Sequence, residues 1–198
     1  MTDRTQRRGA IVVISGPSGA GKTTLVKRIL GDDPELVWSV SATTRAPRED
    51  ELDGRDYHFL SREAFEHIIA SDDLAEWAES FDNLYGTPAG PLREGLEAGR
   101  VLILDIDVQG ARQIRRKFPD AVLVFVRPPN TDALVERLRR RRSETPDQFQ
   151  TRLERARSEL DCADEYDHVI VNDDLEKAVR TLGGLVQEIK ERRGGEGG

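Results

Sequence analysis

The residues of this sequence best suited to chemistry form a glycine-rich stretch directly after an apolar run. Gly16-Pro17-Ser18-Gly19-Ala20-Gly21-Lys22-Thr23 fits the pattern G-x-x-x-x-G-K-[ST] and follows Ala10-Ile11-Val12-Val13-Ile14. Glycines let such a loop curl so that backbone N–H groups point at an anion, and Lys22 can reach the β- and γ-phosphates of a nucleotide. Thr23 can place its hydroxyl on a bound Mg²⁺. We therefore predict a nucleotide-phosphate loop, rather than a plain turn, between a strand and a helix over 24–30.

Two acidic residues, Asp105 and Asp107, end a second apolar run over 101–106. In a doubly wound sheet the carboxyl ends of the strands face the ligand crevice, so both are candidate site residues. Asp105 could organise Mg²⁺ directly or through water. The alternative is that either aspartate caps the helix that begins near Gln109.

Two arginines, Arg45 and Arg48, lie three residues apart around a proline in the polar stretch 41–48. Their guanidinium groups can clamp one phosphate bidentately, although a solvated surface loop would explain them too. Tyr57 and Tyr85 could add hydroxyl donors, but taken singly each tyrosine is better explained by packing. Glu76 lies in a strand pattern, where an unpaired carboxylate is costly.

A dense arginine run, Arg139-Arg140-Arg141-Arg142, follows Arg137 at the end of a helical pattern, and Arg152 lies on the next helix. The run could be a nucleic-acid patch, a solvated helix end, or a cover whose arginines close over a transferring phosphoryl group. The negative net charge and the absence of interleaved aromatic residues disfavour nucleic acid. We favour the cover.

The composition limits the functional classes further. The chain has 198 residues, 34% of them charged, and a formal net charge of -7. This length suits one globular unit, and the acidic balance disfavours nucleic acid or an anionic membrane as partner. No apolar run approaches the length of a membrane span, so we expect a soluble, cytoplasmic protein whose oligomeric state stays open. Cys162 is the only cysteine and the three histidines are scattered, which leaves no disulfide and no zinc set; we expect Cys162 to be buried.

The elements that must position these residues alternate between strands and helices. Short β-branched runs over 101–106, 121–126 and 169–171 suit a parallel sheet, whereas 41–90 is mixed and reads as an insertion with strands over 57–60 and 76–81 and a helix capped by Ser61. Thr145 opens a capping box before a further helix, and Asp173 or Asp174 caps the last one. These patterns predict a doubly wound α/β core.

Several separated motifs resemble the guanylate kinase family, in order and over about residues 10 to 192. They are the phosphate loop, 41–48, Gly54-Arg55-Asp56-Tyr57-His58-Phe59, Glu76-Trp77-Ala78, Tyr85-Gly86-Thr87, Leu104-Asp105-Ile106-Asp107-Val108-Gln109-Gly110 and Val169-Ile170-Val171-Asn172-Asp173-Asp174. The resemblance implies a doubly wound, mostly parallel sheet (a P-loop NTPase core, about 9–40, 98–130 and 160–192). It also implies a mixed α+β GMP-binding insertion (about 41–97) and a helical lid (about 131–159). We expect residues 193–198 to form a disordered tail.

The same resemblance implies the reaction ATP + GMP = ADP + GDP, with dGMP as a further acceptor, and a role for each motif. ATP with Mg²⁺ would lie on Gly16, Pro17, Ser18, Gly19, Ala20, Gly21, Lys22, Thr23 and Thr24. The GMP phosphate would lie on Arg45, Arg48, Tyr57 and Tyr85. Guanine would be read by Ser41, Glu76, Thr87 and Asp107, with Asp105 nearby. The catalytic residues would be Lys22, Arg45, Arg137, Arg141 and Arg152.

Two rival functions stay open from the sequence. One is a related kinase acting on a sugar phosphate such as ribose bisphosphate, against which the base-reading set argues. The other is a phosphopeptide-binding module that has lost turnover. Such modules typically depart from the phosphate-loop pattern, whereas Gly16, Gly21, Lys22 and Thr23 are all present here.

Overall fold

The structure is a computed structural model that describes residues 9–139 and 145–195. Its strands are β1 (Ala10–Ser15), β2 (Leu36–Trp38), β3 (Ala42–Thr43), β4 (His58–Phe59), β5 (Leu74–Ser80), β6 (Asn83–Pro88), β7 (Val101–Asp105), β8 (Val122–Arg127) and β9 (His168–Val171). Its helices are α1 (Lys22–Asp32), α2 (Arg62–Ala70), α3 (Ala89–Glu97), α4 (Val108–Lys117), α5 (Thr131–Arg139), α6 (Pro146–Leu160) and α7 (Leu175–Gly195).

The larger sheet has the strand order β2-β7-β1-β8-β9, and every neighbouring pair is parallel. Successive residues of β1 point to opposite faces, so both faces must be covered. Val12 and Ile14 pack with side chains of α1 and α7, whereas Ile11 and Val13 pack with side chains of α3 and α4. The predicted doubly wound α/β fold is confirmed.

A smaller mixed sheet, in the order β4-β3-β6-β5, forms the insertion. Its apolar cluster is separate from the core and is centred on Phe65 of α2, which is fully buried against Leu74 and Leu84. Ser61 caps α2 as predicted, because its hydroxyl oxygen accepts a hydrogen bond from the Ala64 amide. The sheet holds β3, β6 and β5 side by side, which sets the positions of Ser41, Thr87 and Glu76 described below.

Helices α5 and α6 pack on each other through another apolar cluster, which includes Leu134, Leu138 and Leu153. The predicted capping box is present at the start of α6, where the Thr145 and Gln148 side chains each bond the other residue's backbone amide. Asp174, the second of the two predicted caps, accepts from the Lys177 amide at the start of α7. These local signals act within one turn, so they do not depend on the rest of the fold.

Two expectations, one about the C-terminal residues and one about Cys162, need correction. Helix α7 extends to Gly195, beyond the predicted start of a disordered tail at 193, and Arg193 donates to the Gly99 carbonyl oxygen. Cys162 is only half-buried, because it lies in the turn after α6 beside Arg112, at the surface. In the described part of the chain, no helix is long and apolar enough to cross a membrane.

Candidate active site

The loop between β1 and α1 has the backbone shape that its glycines permit. Gly16 and Gly21 both have positive φ, at 131° and 93°. A Cβ at Gly16 would lie closer than 3.0 Å to the Val126 carbonyl oxygen. A Cβ at Gly21 would lie closer than 3.0 Å to the side-chain nitrogen Nδ2 of Asn172. Glycine is therefore required at both positions for conformation and for space.

Lys22, the first residue of α1, folds back over this loop. Its Nζ donates to the carbonyl oxygens of Gly16 at 2.7 Å and Pro17 at 3.1 Å. The ammonium group therefore lies over the concave side of the loop, where the phosphates of a bound nucleotide would face it.

Thr23 and Asp105, the two predicted metal-site residues, are in direct contact. The Thr23 hydroxyl donates to Asp105 Oδ2 at 2.6 Å. Burial raises the pKa of Asp105, although Lys22 and Thr23 act against this. A hydroxyl and a carboxylate are hard oxygen donors that suit Mg²⁺, which binds one or two protein groups together with substrate phosphates and water. This pair therefore fits the ion, although the described residues contain no group of three acidic, histidine or cysteine side chains that could hold a metal by themselves.

Two of the predicted catalytic arginines contact the phosphate loop. Arg137 donates from Nη1 to the Ala20 carbonyl oxygen at 3.3 Å and from Nη2 to the Asn172 carbonyl oxygen at 2.8 Å. Arg152 is buried and donates from Nη2 to Ser18 Oγ at 2.9 Å. Arg141, with Arg140 and Arg142, lies outside the described residues, so its predicted role stays a prediction.

Asn172 belongs to one of the motifs quoted above but was not predicted as a site residue, although it directly follows β9 at the ligand-facing end of the parallel sheet. Its side-chain nitrogen donates to the Ala20 carbonyl oxygen at 2.8 Å, and the residue is buried. Because Arg137 also donates to the Ala20 carbonyl oxygen, the two residues hold the same point of the loop.

Arg45 of the predicted phosphate clamp is held by Glu51, which was also missed. Its Nη1 and Nη2 donate to the two carboxylate oxygens of Glu51, each at 2.9 Å, and its guanidinium lies 5.4 Å from the centre of the Tyr57 ring. Burial alone would raise the pKa of Glu51, but bonds from Arg45 and the Arg48 amide outweigh it and lower that pKa. Contacts within the protein thus fix the orientation of the Arg45 guanidinium group. The side chain of Arg48 is 60% exposed and remains adjustable.

The two predicted tyrosines stand edge to face, with ring centres 6.2 Å apart. Burial, followed by the nearby Asp105 charge, raises the pKa of Tyr57 to about 12. The phenol therefore stays protonated at neutral pH and is available as a hydrogen-bond donor.

The predicted base-reading residues lie in a row across the smaller sheet. Glu76 pairs with Thr87 between β5 and β6, and Ala42 pairs with Gly86 between β3 and β6, which puts Ser41 on the other side of Thr87. All three are buried, and the Thr87 hydroxyl donates to Glu76 Oε1 at 2.6 Å. Burial, reinforced by the Asp107 charge, raises the pKa of Glu76 to about 7 against the opposing hydrogen bond from Thr87.

Asp107 combines the two interpretations that the sequence left open. Its Oδ1 accepts from the Gly110 amide at 2.9 Å and caps α4, while its Oδ2 accepts from Arg155 at 2.8 Å. Arg155 was missed, although it follows Arg152 by three residues and so lies on nearly the same face of α6.

Part of this set lines one cleft of about 460 Å³, whereas Ser41, Glu76 and Thr87 are not among its lining residues, nor are Tyr57, Thr23, Asp105 and Arg137. Its lining includes Gly16, Lys22, Arg45, Tyr85, Asp107 and Arg152. The phosphate loop, the clamp and the guanidinium groups of α6 thus face one shared space.

Comparison with known proteins agrees with this geometry. A family model described as Guanylate kinase matches residues 8–189. The chain belongs to the guanylate kinase family. A guanylate kinase of Gloeobacter violaceus is 51% identical over 178 residues, covering 90% of this chain and 87% of that protein. A guanylate kinase of Rubrobacter xylanophilus is 54% identical over 172 residues, covering 87% and 90%.

A solved structure shows the same architecture. The crystal structure of guanylate kinase from Anaplasma phagocytophilum has a TM-score of 0.76 at 33% sequence identity, and the match covers 92% of this chain and 86% of that one. The resemblance to guanylate kinase predicted from separated sequence motifs is therefore confirmed, and the protein is placed among the kinases.

Proposed function

We propose that this protein transfers the γ-phosphoryl group of ATP to GMP, giving ADP and GDP, and that it also accepts dGMP. The observation that carries the proposal is the shared cleft, in which Lys22 faces Arg45, Tyr85 and Asp107. A donor on the phosphate loop and an acceptor on the insertion would meet there with their phosphates adjacent. None of the proposed acceptor contacts is to the ribose 2′-hydroxyl, which is why dGMP is included.

On the donor side, backbone N–H groups over 16–24 would surround the ATP phosphates, with Lys22 as the neutralising charge. Thr23 and Asp105 would hold Mg²⁺, Asp105 directly or through water. When bound, the ion would supply positive charge that offsets the negative charge of the donor phosphates. The Thr23–Asp105 hydrogen bond supports this assignment, because it brings both donors to one point at the mouth of the loop.

On the acceptor side, Arg45 and Arg48 would hold the GMP phosphate, with Tyr57 and Tyr85 as hydroxyl donors. The bidentate Arg45–Glu51 pair supports this role, since it fixes the orientation of the guanidinium group before binding. Less rotational freedom is then lost when the phosphate arrives.

Guanine would be recognised by hydroxyl donors to O6 and carboxylate acceptors from N1–H and the exocyclic amino group. Ser41 and Thr87 offer the hydroxyls, Thr87 by turning its one hydrogen from Glu76 Oε1 to the base, and Glu76 and Asp107 offer the carboxylates. Adenine presents an acceptor at N1 and lacks the amino group, so it would leave a buried carboxylate unpaired. Sites of this kind discriminate by factors on the order of 10⁴.

The reaction needs no general base, because the attacking GMP phosphate oxygen is already anionic near neutral pH. Catalysis then consists of positioning two polyanions and neutralising the charge that shifts between them. Lys22 contacts the phosphate loop at Gly16, Arg152 contacts it at Ser18, and Arg137 contacts it at Ala20. Arg141 would complete this set. Closing α5 and α6 over the cleft would exclude water and limit hydrolysis.

We assign residues of about 9–40, 98–130 and 160–192 to the core, about 41–97 to the GMP-binding insertion and about 131–159 to the lid. The separate apolar clusters of the insertion and of α5 with α6 support this division. A cytoplasmic location fits a reaction whose substrates are free nucleotides.

An ADP-release assay with competing acceptors tests the function. We expect turnover with GMP and dGMP, and rates lower by several orders of magnitude with AMP, UMP and ribose 1,5-bisphosphate. Preferred turnover of ribose 1,5-bisphosphate would replace the proposal with a sugar-phosphate kinase. Binding of GMP without any ADP release would replace it with a binding module.

A further inference from the structure

Arg155 of α6 links three parts of the molecule through one side chain. Its Nε donates to Glu159 Oε1 at 2.9 Å, its Nη1 to Ser80 Oγ at 2.8 Å and its Nη2 to Asp107 Oδ2 at 2.8 Å. Ser80 ends β5 of the insertion, and Asp107 precedes α4 of the core. A guanidinium group with a partner on each of its three nitrogens has a fixed orientation.

The neighbouring arginines of the helix show that this arrangement is specific. Arg152, one turn earlier, contacts Ser18 of the phosphate loop, so it faces the donor side. Arg155 faces the acceptor side instead, and Arg157 is exposed to solvent. One helix thus contacts both halves of the cleft through two arginines that are three residues apart.

The hairpin turn under Arg155 is strained. Phe81 and Asp82 join β5 to β6 with positive φ angles of 50° and 60°, which are uncommon for residues other than glycine. The turn puts the Phe81 ring in the cleft lining, and the Arg155 guanidinium lies 5.6 Å from the ring centre. Phe81 is nevertheless 47% exposed, so packing in the core does not explain its conformation.

Asp107 can accept further hydrogen bonds from a ligand while Gly110 and Arg155 bind its carboxylate. Each of its carboxylate oxygens has one described partner, Gly110 or Arg155, and an ionised carboxylate can accept about four hydrogen bonds. The two bonds orient the carboxylate plane and leave lone pairs directed elsewhere.

We propose that Arg155 is a positioning residue for the acceptor site, which orients Asp107 and holds α6 against the Ser80–Phe81 hairpin. This inference rests on the proposed function, in which Glu76 and Asp107 are the carboxylates that read guanine, and it assigns the exocyclic amino group to Asp107. Arg155 acts through Asp107 and does not itself touch the reacting phosphates. Its contribution should therefore be specific to the amino group.

Steady-state kinetics of Arg155→Met with GMP and IMP test this role, because IMP lacks the amino group and is otherwise the same acceptor. We expect KM for GMP to rise roughly tenfold or more, KM for ATP to stay within about twofold, and the GMP-over-IMP preference to fall roughly tenfold. Arg157→Met, on the exposed face of the same helix, is the matched control and should leave all three values unchanged.

Further variants separate positioning from general structural damage. Arg155→Lys keeps the charge on a single nitrogen, so KM for GMP and the GMP-over-IMP preference should change in the same direction but by less. If Arg155→Met melts more than about 5 °C below the unchanged protein, Arg155→Lys takes its place in the test. In an Asp107→Asn background, Arg155→Met should change the preference less than about twofold, because the residue through which it acts is already altered.

The outcomes distinguish the two proposals. If the unchanged protein does not phosphorylate GMP, the proposed function fails and this inference fails with it. If GMP is phosphorylated but KM for GMP in the Arg155 variants stays within about twofold, only the positioning role is overturned. Equal losses with GMP and IMP would also overturn it, since they indicate a structural effect alone.

Discussion

The raised pKa of Glu76 allows a quantitative prediction about folding stability. Burial raises this pKa from 4.5 to about 7, and the charged groups that influence it are Asp107 and Lys117. The folded-state pKa lies above the unfolded value. Glu76 therefore contributes most stability below about pH 4.5, where both states are protonated, and that contribution is lost as the pH rises through about 7.

The size of the effect follows from proton linkage. With these two pKa values, the contribution of Glu76 to the free energy of unfolding falls by about 2–3 kcal/mol between about pH 5 and about pH 8. Glu76→Gln removes the titration but keeps the side-chain shape and an oxygen for the Thr87 hydroxyl. Relative to the unchanged protein, the variant should gain about that amount over this interval, or about 5–10 °C in melting temperature.

Urea unfolding followed by circular dichroism at several pH values measures this difference. Glu79→Gln is the matched control, since Glu79 lies on the same strand β5 but is exposed. The free energy of unfolding of Glu79→Gln should differ from that of the unchanged protein by an amount that varies by less than about 0.5 kcal/mol over the pH range. If the stability difference between Glu76→Gln and the unchanged protein is equally independent of pH, the buried carboxyl titrates normally and the reasoning is refuted.

Three further substitutions test the site. Lys22→Ala should lower kcat by roughly 10²–10³-fold with a smaller change in KM for GMP, because the lost charge faces the transferring group; equal loss of binding and turnover in single-turnover kinetics would contradict this. Glu51→Gln should raise KM for GMP roughly tenfold and leave KM for ATP unchanged, since it frees Arg45; Glu49→Gln, also in this loop, is its control. Gly110→Ala would place a methyl group against Glu76 Oε2 and should destabilise the fold by about 1–3 kcal/mol while weakening GMP use. Gly183→Ala, at a helical position with open space around it, should instead be neutral or slightly stabilising.

The sequence predicted some residues of the candidate site and not others. The phosphate loop was found because its glycines and Lys22 act within one turn between a strand and a helix. Asn172 and Arg155 were missed, although their positions after a strand and one turn beyond Arg152 offered a signal. Glu51 was missed because its role appears only when Arg45 lies beside it, and the many acidic residues nearby look alike in the sequence.

The same division holds for the fold. Local signals such as the Thr145 capping box and the buried run of β7 predicted their elements, since capping and strand periodicity depend on neighbouring residues. The short strands β2 and β3 were not predicted, because their pairing partners β7 and β6 lie far away in the chain. The strand β6 and the helix α3 were not predicted either; β6 pairs with its chain neighbour β5, but its Gly86 and Pro88 disfavour a strand in the sequence. The exposure of Cys162 was mispredicted for a related reason, as burial depends on which elements pack above a residue.

The sequence by itself determined that the chain binds nucleotide phosphates on a parallel α/β sheet, because those features rest on local backbone geometry and on alternation along strands. Only the tertiary structure decided that Glu76 is a desolvated carboxyl beside Thr87 and that Asp107 both caps a helix and faces the cleft. It also decided that Arg155 of α6 joins the end of β5 to the start of α4. Desolvation and charge pairing depend on atoms brought together from distant positions, and these distances exist only once the chain has folded.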